Sequence, residues 1–366
     1  MEIKKFNIEN NLDKYKAKDN PSTLNASIKS LNINTNNNEV DEVTLVDYSS
    51  TYEDYLSNLS DYEGFTSCMI DKYIDIPGLD KNFVPQGSCQ VGDYTLLVGY
   101  SSVSGENSTL YVIDKNGNVI KNITLDGAYH CGAVSYDEKT GSVYITGKSG
   151  ADDGKSCYIN QYGLGDIFHN NGEELIPNNK IQVDNDNSLK SSTNDKSSAA
   201  YLTVNDGYLY VGNFDKNGDG IIKRYKIKSD GTLGNEVIID NPFGKTQGMC
   251  VYNYEGEDYY IFSCSGGRTN DSNIYVATMD ENGNLVQCGE MTLPCMAEQI
   301  SNCGDNGISI LFESCAGEYC DSANQTIDDI CYLDPEELLV ESGAIDNISG
   351  DIWMENGNYN SGVASM

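Results

Sequence analysis

From Phe83 onward the chain is a succession of short apolar runs of strand length, each closed by a polar, glycine-containing turn. Gln86-Gly-Ser-Cys-Gln-Val-Gly-Asp-Tyr-Thr-Leu-Leu-Val-Gly99 is followed by Thr109-Leu-Tyr-Val-Ile-Asp-Lys-Asn-Gly117 and by Val119 to Leu125. Runs this short, rich in Val, Ile, Leu and Tyr, predict strands rather than helices, here four in succession. The order returns at His130 to Tyr136 with Val143 to Gly147, and at Ala200 to Val204 with Tyr208 to Gly212. It returns again at Gln247 to Tyr252 with Tyr259 to Phe262, and at Glu298 to Ser301 with Ile308 to Phe312.

Taking Gln86, His130, Ala199, Gln247 and Glu298 as equivalent starts, the separations are 44, 69, 48 and 51 residues. These suit the blades of a β-propeller, with one insertion in the long interval. The polar stretch at about 150–197, with its Asn pairs and the Asn185 to Asn194 run, is read as that insertion, in or after the second blade. Lys115-Asn-Gly-Asn118, Ser229-Asp-Gly-Thr232 and Glu281-Asn-Gly-Asn284 mark matching outer hairpins, where Asn-Gly and Asp-Gly supply positive φ. Radial closure hides sheet edges that an open meander would expose, so the expected fold is all-β: a five-bladed propeller of four-stranded antiparallel blades over 66–345. Residues 1–65 read as a polar, flexible tail with a short helix near Ser50 to Ser60, and 346–366 as a C-terminal segment.

The PQG, HCG, TQG and MAEQ starts, ending at Gly87, Gly132, Gly248 and Gln299, resemble a bacterial group of five-bladed β-propellers. The resemblance covers about Phe83 to Leu339. It implies the fold and no activity, because propellers host hydrolases, lyases, lectins and scaffolds.

Composition agrees with strands and turns: 26 Tyr and 36 Gly against 7 Pro and 1 Trp among 366 residues. The 23 Lys and Arg against 56 Asp and Glu leave a net charge of −33, which repels phosphate backbones and anionic lipid heads and argues against nucleic acid and membrane partners. The 12 Cys include no CxxC pair and no Cys/His cluster of zinc-site spacing; Cys89, Cys131 and Cys250 read as packed strand residues. Low Lys, abundant Asn, Ser and Tyr and the acidic balance suit an extracellular or cell-surface protein, expected as a monomer. Met1 to Lys18 carries no apolar signal core, which keeps a cytoplasmic location as the alternative.

In a propeller the first strand of each blade lines the central channel, so equivalent starts converge at one mouth. Gln86, His130, Gln247 and Glu298 form such a set, with Ala199 leaving a gap that Tyr201 fills. The functional reading makes His130 and Glu298 an acid/base or metal pair and the two amides ligand-binding. The structural reading is a water-filled polar channel. Glu313, at the end of the run Ile308 to Phe312, and Arg268, in Ser265-Gly-Gly-Arg-Thr269, are further ligand-binding candidates, with solvent exposure and pairing to a carboxylate as their plain alternatives. Asp215-Lys-Asn-Gly-Asp-Gly220 matches the opening of a calcium loop, with Asp215, Asn217 and Asp219 at positions 1, 3 and 5 and Gly at 6. Position 12 is Lys226 and a strand follows, so the alternative is an acidic hairpin tip. No Ser-His-Asp triad, phosphate loop or dinucleotide fingerprint is present. Two function classes stand: a hydrolase or lyase acting on a small polar, sugar-like or peptide ligand, and a non-catalytic glycan- or protein-binding module.

Overall fold

The computed structural model describes residues 59–127, 130–147, 158–183 and 199–346. The chain divides into two units, 1–60 and 61–366. The second is a ring of five four-stranded antiparallel sheets, the architecture that the strand pattern predicts. The expected helix near Ser50 to Ser60 falls almost wholly outside the described residues.

Strand β1 (Met69–Asp75) comes first in the chain but belongs to the last blade. Blade one holds β2 (Phe83–Val91), β3 (Tyr94–Ser101), β4 (Thr109–Asp114) and β5 (Val119–Thr124). Blade two holds β6 (Val134–Asp137), β7 (Ser142–Gly147), β8 (Tyr158–Gly163) and β9 (Asn179–Gln182). Blade three is β10 (Tyr201–Asn205) to β13 (Leu233–Asn241), with β11 (Tyr208–Gly212) and β12 (Gly220–Ile227) between them. Blade four is β14 (Thr246–Tyr254), β15 (Glu257–Cys264), β16 (Ser272–Met279) and β17 (Leu285–Leu293). Blade five runs β18 (Ala297–Asn302), β19 (Ile308–Phe312), β20 (Asp329–Leu333), and β1 supplies its outer strand by pairing Ile74 with Ile330.

Two boundaries read from the sequence change. The polar stretch at 150–197 is no separate insertion throughout: 158–163 and 179–182 are the two outer strands of blade two. They escape notice because β9 has a single apolar residue, Ile181, and lies mostly in solvent. The tail also ends earlier than residue 65. Helix Glu63–Cys68 buries Phe65 edge-on against Phe312 at 5.9 Å, so those residues belong to the propeller.

Apolar side chains on the inner strands fill the seams between neighbouring blades, and the outermost strands alternate between buried and exposed positions, as one-sided burial requires. Cys89, Cys131 and Cys250 are buried there, as expected. The hairpin tips hold one refinement. Gly117, Gly231 and Gly283 alone take the positive φ, while Asp114, Asp230 and Asp280 accept backbone N–H bonds that close each turn. Among the described residues no helix is long and apolar enough to cross a membrane.

The five inner strands touch in cyclic order. Their close approach depends on glycine: a Cβ on Gly87 would overlap Ala133 of blade two, one on Gly132 would overlap the Ala200 carbonyl of blade three, and one on Gly248 would press on Ile300 N of blade five. Gln299 exploits the space over Gly87. From blade five it reaches past blade one to blade two, where its Oε1 accepts from Val134 N (2.9 Å) and its Nε2 donates to Val134 O (2.8 Å). Gln299 is itself buried, so both backbone groups depend on it. Gln299→Met, close in volume but unable to make either bond, is expected to lower stability by about 2–4 kcal/mol, because two buried backbone groups lose their partner. Urea unfolding monitored by circular dichroism measures this; a change under about 0.5 kcal/mol would show that water replaces the amide.

Candidate active site

Three inner strands enter their sheets through a β-bulge, and all three lie on consecutive blades of the ring, four, five and one. In β14 the register skips Gln247, between Thr246↔Cys264 and Gly248↔Ser263. In β2 it skips Gln86, between Pro85↔Gly99 and Gly87↔Val98. In β18 it is irregular across Glu298 and Gln299. A bulge places an extra residue outside the ladder's alternation and so re-aims its side chain. Lys245 and Met296, each two residues before the re-aimed side chain, hold φ of 60°, turning the chain sharply into β14 and β18.

These turns set Gln247 beside Glu298 and Gln86 beside Glu313. Gln247 Nε2 donates to Glu298 Oε1 at 3.0 Å. Gln86 Nε2 donates to Glu313 Oε2 at 2.8 Å and to its neighbour's carbonyl, Pro85 O, at 2.9 Å. Glu313 follows the last residue of β19, whose partner across the sheet is Ala297, so antiparallel pairing sets the two glutamates side by side. Glu298 and Glu313 lie close enough for each to act on the protonation of the other. Gln86 Oε1 is buried with no hydrogen-bond partner, an acceptor left open beside the pair.

Burial pushes both carboxyls up from their usual range, and for Glu298 the neighbouring charge of Glu313 adds to it. The Gln86 amide and, more weakly, the Arg268 guanidinium moderate the rise at Glu313. Glu298 is 1% exposed, whereas Glu313 is only partly covered at the mouth. The inner carboxyl is sealed and the outer one half-buried, and two carboxyls this close resist ionising together.

Aromatic rings stand beside Glu313. Tyr100, at the end of β3, and Tyr319, in the long β19–β20 connection, share a hydroxyl hydrogen bond of 2.8 Å. His130 packs its ring against Tyr100 at 5.1 Å, and the exposed Arg268 guanidinium lies 4.4 Å from the Tyr319 ring centre.

The structure sets the two members of the expected His130–Glu298 pair in different surroundings. Glu298 pairs with Glu313 and Gln247, and His130 sits exposed on Tyr100. The physical reason is a register of one residue: Gly132 makes the close contact that Gly87 and Gly248 make, so the counterpart of Gln86 and Gln247 is the buried Cys131. Tyr201 does not reach the site either. It is fully buried between blades three and four, and its hydroxyl accepts from Asn241 Nδ2 at 2.9 Å. Tyr100, Tyr319 and Gln299 have no signal in the sequence that separates them from other Tyr and Gln residues. Among the described residues no three His, Cys, Asp or Glu side chains gather as metal ligands, and Asp215, Asn217 and Asp219 lie apart from the carboxyl pair, in the β11–β12 connection of blade three.

No protein-family model and no curated protein matches the sequence. Solved structures do match. An exo-β-1,3-galactanase from Clostridium thermocellum is 16% identical, with a TM-score of 0.41, over 67% of this chain and 57% of its own. The GH43_1 enzyme from Xanthomonas citri is 10% identical, with a TM-score of 0.41, over 76% and 93%. A chain of the nidogen/laminin complex is 11% identical, with a TM-score of 0.38, over 70% and 82%. This chain spans little more than half of the galactanase. Likenesses this distant carry no inference, and the five-bladed β-propeller rests on the strand pairing alone.

Proposed function

We propose that this protein is an acid/base hydrolase of a small polar, sugar-like ligand bound at the channel mouth of blades four, five and one. The observation that carries this reading is the Glu298–Glu313 pair, flanked by the Gln247 and Gln86 amides. Hydrolysis needs a proton delivered to a leaving oxygen and one taken from water, and a group that titrates near neutrality does both. Glu313, pushed up to about 7, is such a group and is the less buried of the two carboxyls. Glu298 acts beside it, as its buried partner. The exposed His130 ring, packed on the half-buried Tyr100, offers a flat, part-polar surface on which a sugar ring stacks.

Turnover of aryl glycosides and of short oligosaccharides, with binding followed by calorimetry, tests the proposal. Glu313→Gln is expected to lower kcat at least about 100-fold, the usual worth of an acid/base group, while binding changes less than about 3-fold. The protonated form of Glu313 is present below about 7, so the wild-type rate should fall as pH rises through that value. Glu298→Gln replaces a carboxyl held protonated with a neutral amide, so that limb should stay near its wild-type position. Stability follows the same sign: both carboxyls have raised values in the folded state, so their contribution is full below the ordinary carboxyl range, and the Glu313 part is lost as pH rises through about 7. Undiminished turnover in Glu313→Gln overturns the assignment. Sugar binding without turnover of any substrate would instead make the propeller a glycan-binding module.

A further inference from the structure

We propose that the β11–β12 connection of blade three, Asp215 to Gly220, is a calcium site. Asp215 is 2% exposed although it carries a carboxylate, and that burial has a specific geometry. Its Oδ1 accepts from the backbone N–H groups of Asn217 (2.7 Å) and Asp219 (3.1 Å), which turns the carboxylate into the loop it closes. Its Oδ2 is buried and has no hydrogen-bond donor. A buried carboxylate oxygen is almost always met by a donor, a water or an ion, and an Oδ2 turned into a loop with two further oxygen-bearing side chains suits a cation.

The rest of the loop supplies that partner's other contacts. Asn217 and Asp219, at the third and fifth positions counted from Asp215, are exposed, so an ion has access from solvent. The donors are two carboxylates and an amide, all oxygen, which selects a hard cation over zinc or copper. Calcium accepts irregular coordination completed by water, whereas magnesium demands a near-ideal octahedron that three side chains on one short loop do not provide. With Lys226 in place of an acidic twelfth residue the site lacks a bidentate ligand, so affinity belongs at the weak end of calcium loops, on the order of 0.1–1 mM.

The loop is firmly seated. Lys245 N donates to Asp215 O at 2.6 Å, and the Gly218 Cα lies where a side chain would overlap the Pro242 carbonyl. A cation here ties blade three to the segment that leads, two residues later, into Gln247.

The test uses chelator-treated full-length protein and CaCl2 alone, with MgCl2 at equal ionic strength as the control. In wild type, 5 mM CaCl2 should raise Tm by about 2–5 °C and give a saturable heat, since an ion that binds only the folded chain stabilises it. MgCl2 should give less than a third of that shift. Asp219→Ala, an exposed change that leaves the loop's backbone bonds intact, should weaken binding at least ten-fold. Asp215→Asn, which keeps the Oδ1 acceptor, should do the same. No heat and no Tm shift up to 10 mM CaCl2 overturns the proposal. So do equal responses to calcium and magnesium, which would reflect screening of the acidic chain, and unchanged affinity in both variants, which would place the ion elsewhere.

Discussion

A chain that begins at Pro77 will fail to give a soluble, monomeric propeller, whereas one that begins at Asp61 will fold. The difference is β1. Removing it leaves β20 as the outer edge of blade five, with Asp329 to Leu333 all buried in the intact ring and suddenly open on one side. Ile74 and Ile76 vanish from the cluster they share with Phe83, Leu97, Ile113, Leu311 and Tyr332, at about 2–3 kcal/mol for each apolar side chain. Helix Glu63–Cys68 goes too, and with it the Phe65 contact on Phe312. The combined loss approaches the whole stability of an ordinary domain, about 5–15 kcal/mol, and the exposed edge is a template for aggregation. Soluble yield, size-exclusion elution and a thermal melt of the two chains decide the matter. A Pro77 chain that elutes as a monomer with the Tm of the longer one would mean that blade five is complete without its outer strand.

How much of this was legible in the sequence follows from how strongly each residue is constrained. Inner strands such as Ile308 to Phe312 are buried at every position, so they stand out as unbroken apolar runs. The closing strand does not: Met69 to Asp75 intersperses Asp71, Lys72 and Asp75 with its apolar residues, because an outer strand is wet on one side. The same holds for β9. At the site, the Gln-Gly pairs at 86–87 and 247–248 were visible because one geometry, a bulge beside a close contact, demands both residues. Glu313 stands out as a ligand-binding candidate at a strand end, but nothing local reveals that antiparallel pairing seats it against Glu298. His130 was drawn into the set by its chemistry, one residue out of register with the Gly132 contact that fixes the alignment.

That contact geometry also couples stability to the site, and Gly248→Ala separates the two. A Cβ at residue 248 would sit 2.6 Å from Ile300 N and 2.7 Å from the Gln299 Cα, both backbone atoms that cannot rotate away. Blade five must shift from blade four, at a cost of about 3 kcal/mol or more. The seam that opens is the one spanned by the Gln247–Glu298 hydrogen bond of 3.0 Å and by Ser263, whose hydroxyl donates to the Glu298 carbonyl. Gly132→Ala makes an equally severe overlap, with the Ala200 carbonyl, but in the seam between blades two and three. Both variants should therefore lose comparable stability in urea, and only Gly248→Ala should change how stability depends on pH. In wild type and in Gly132→Ala the raised carboxyls make Tm fall as pH climbs above the ordinary carboxyl range, Glu313 through about 7 and Glu298 in the same direction. In Gly248→Ala water enters beside Glu298, its value returns toward normal, and that slope flattens. An unchanged slope in Gly248→Ala would mean that the carboxyl pair is held by β18, β19 and Gln86 alone, with blade four contributing nothing to its protonation.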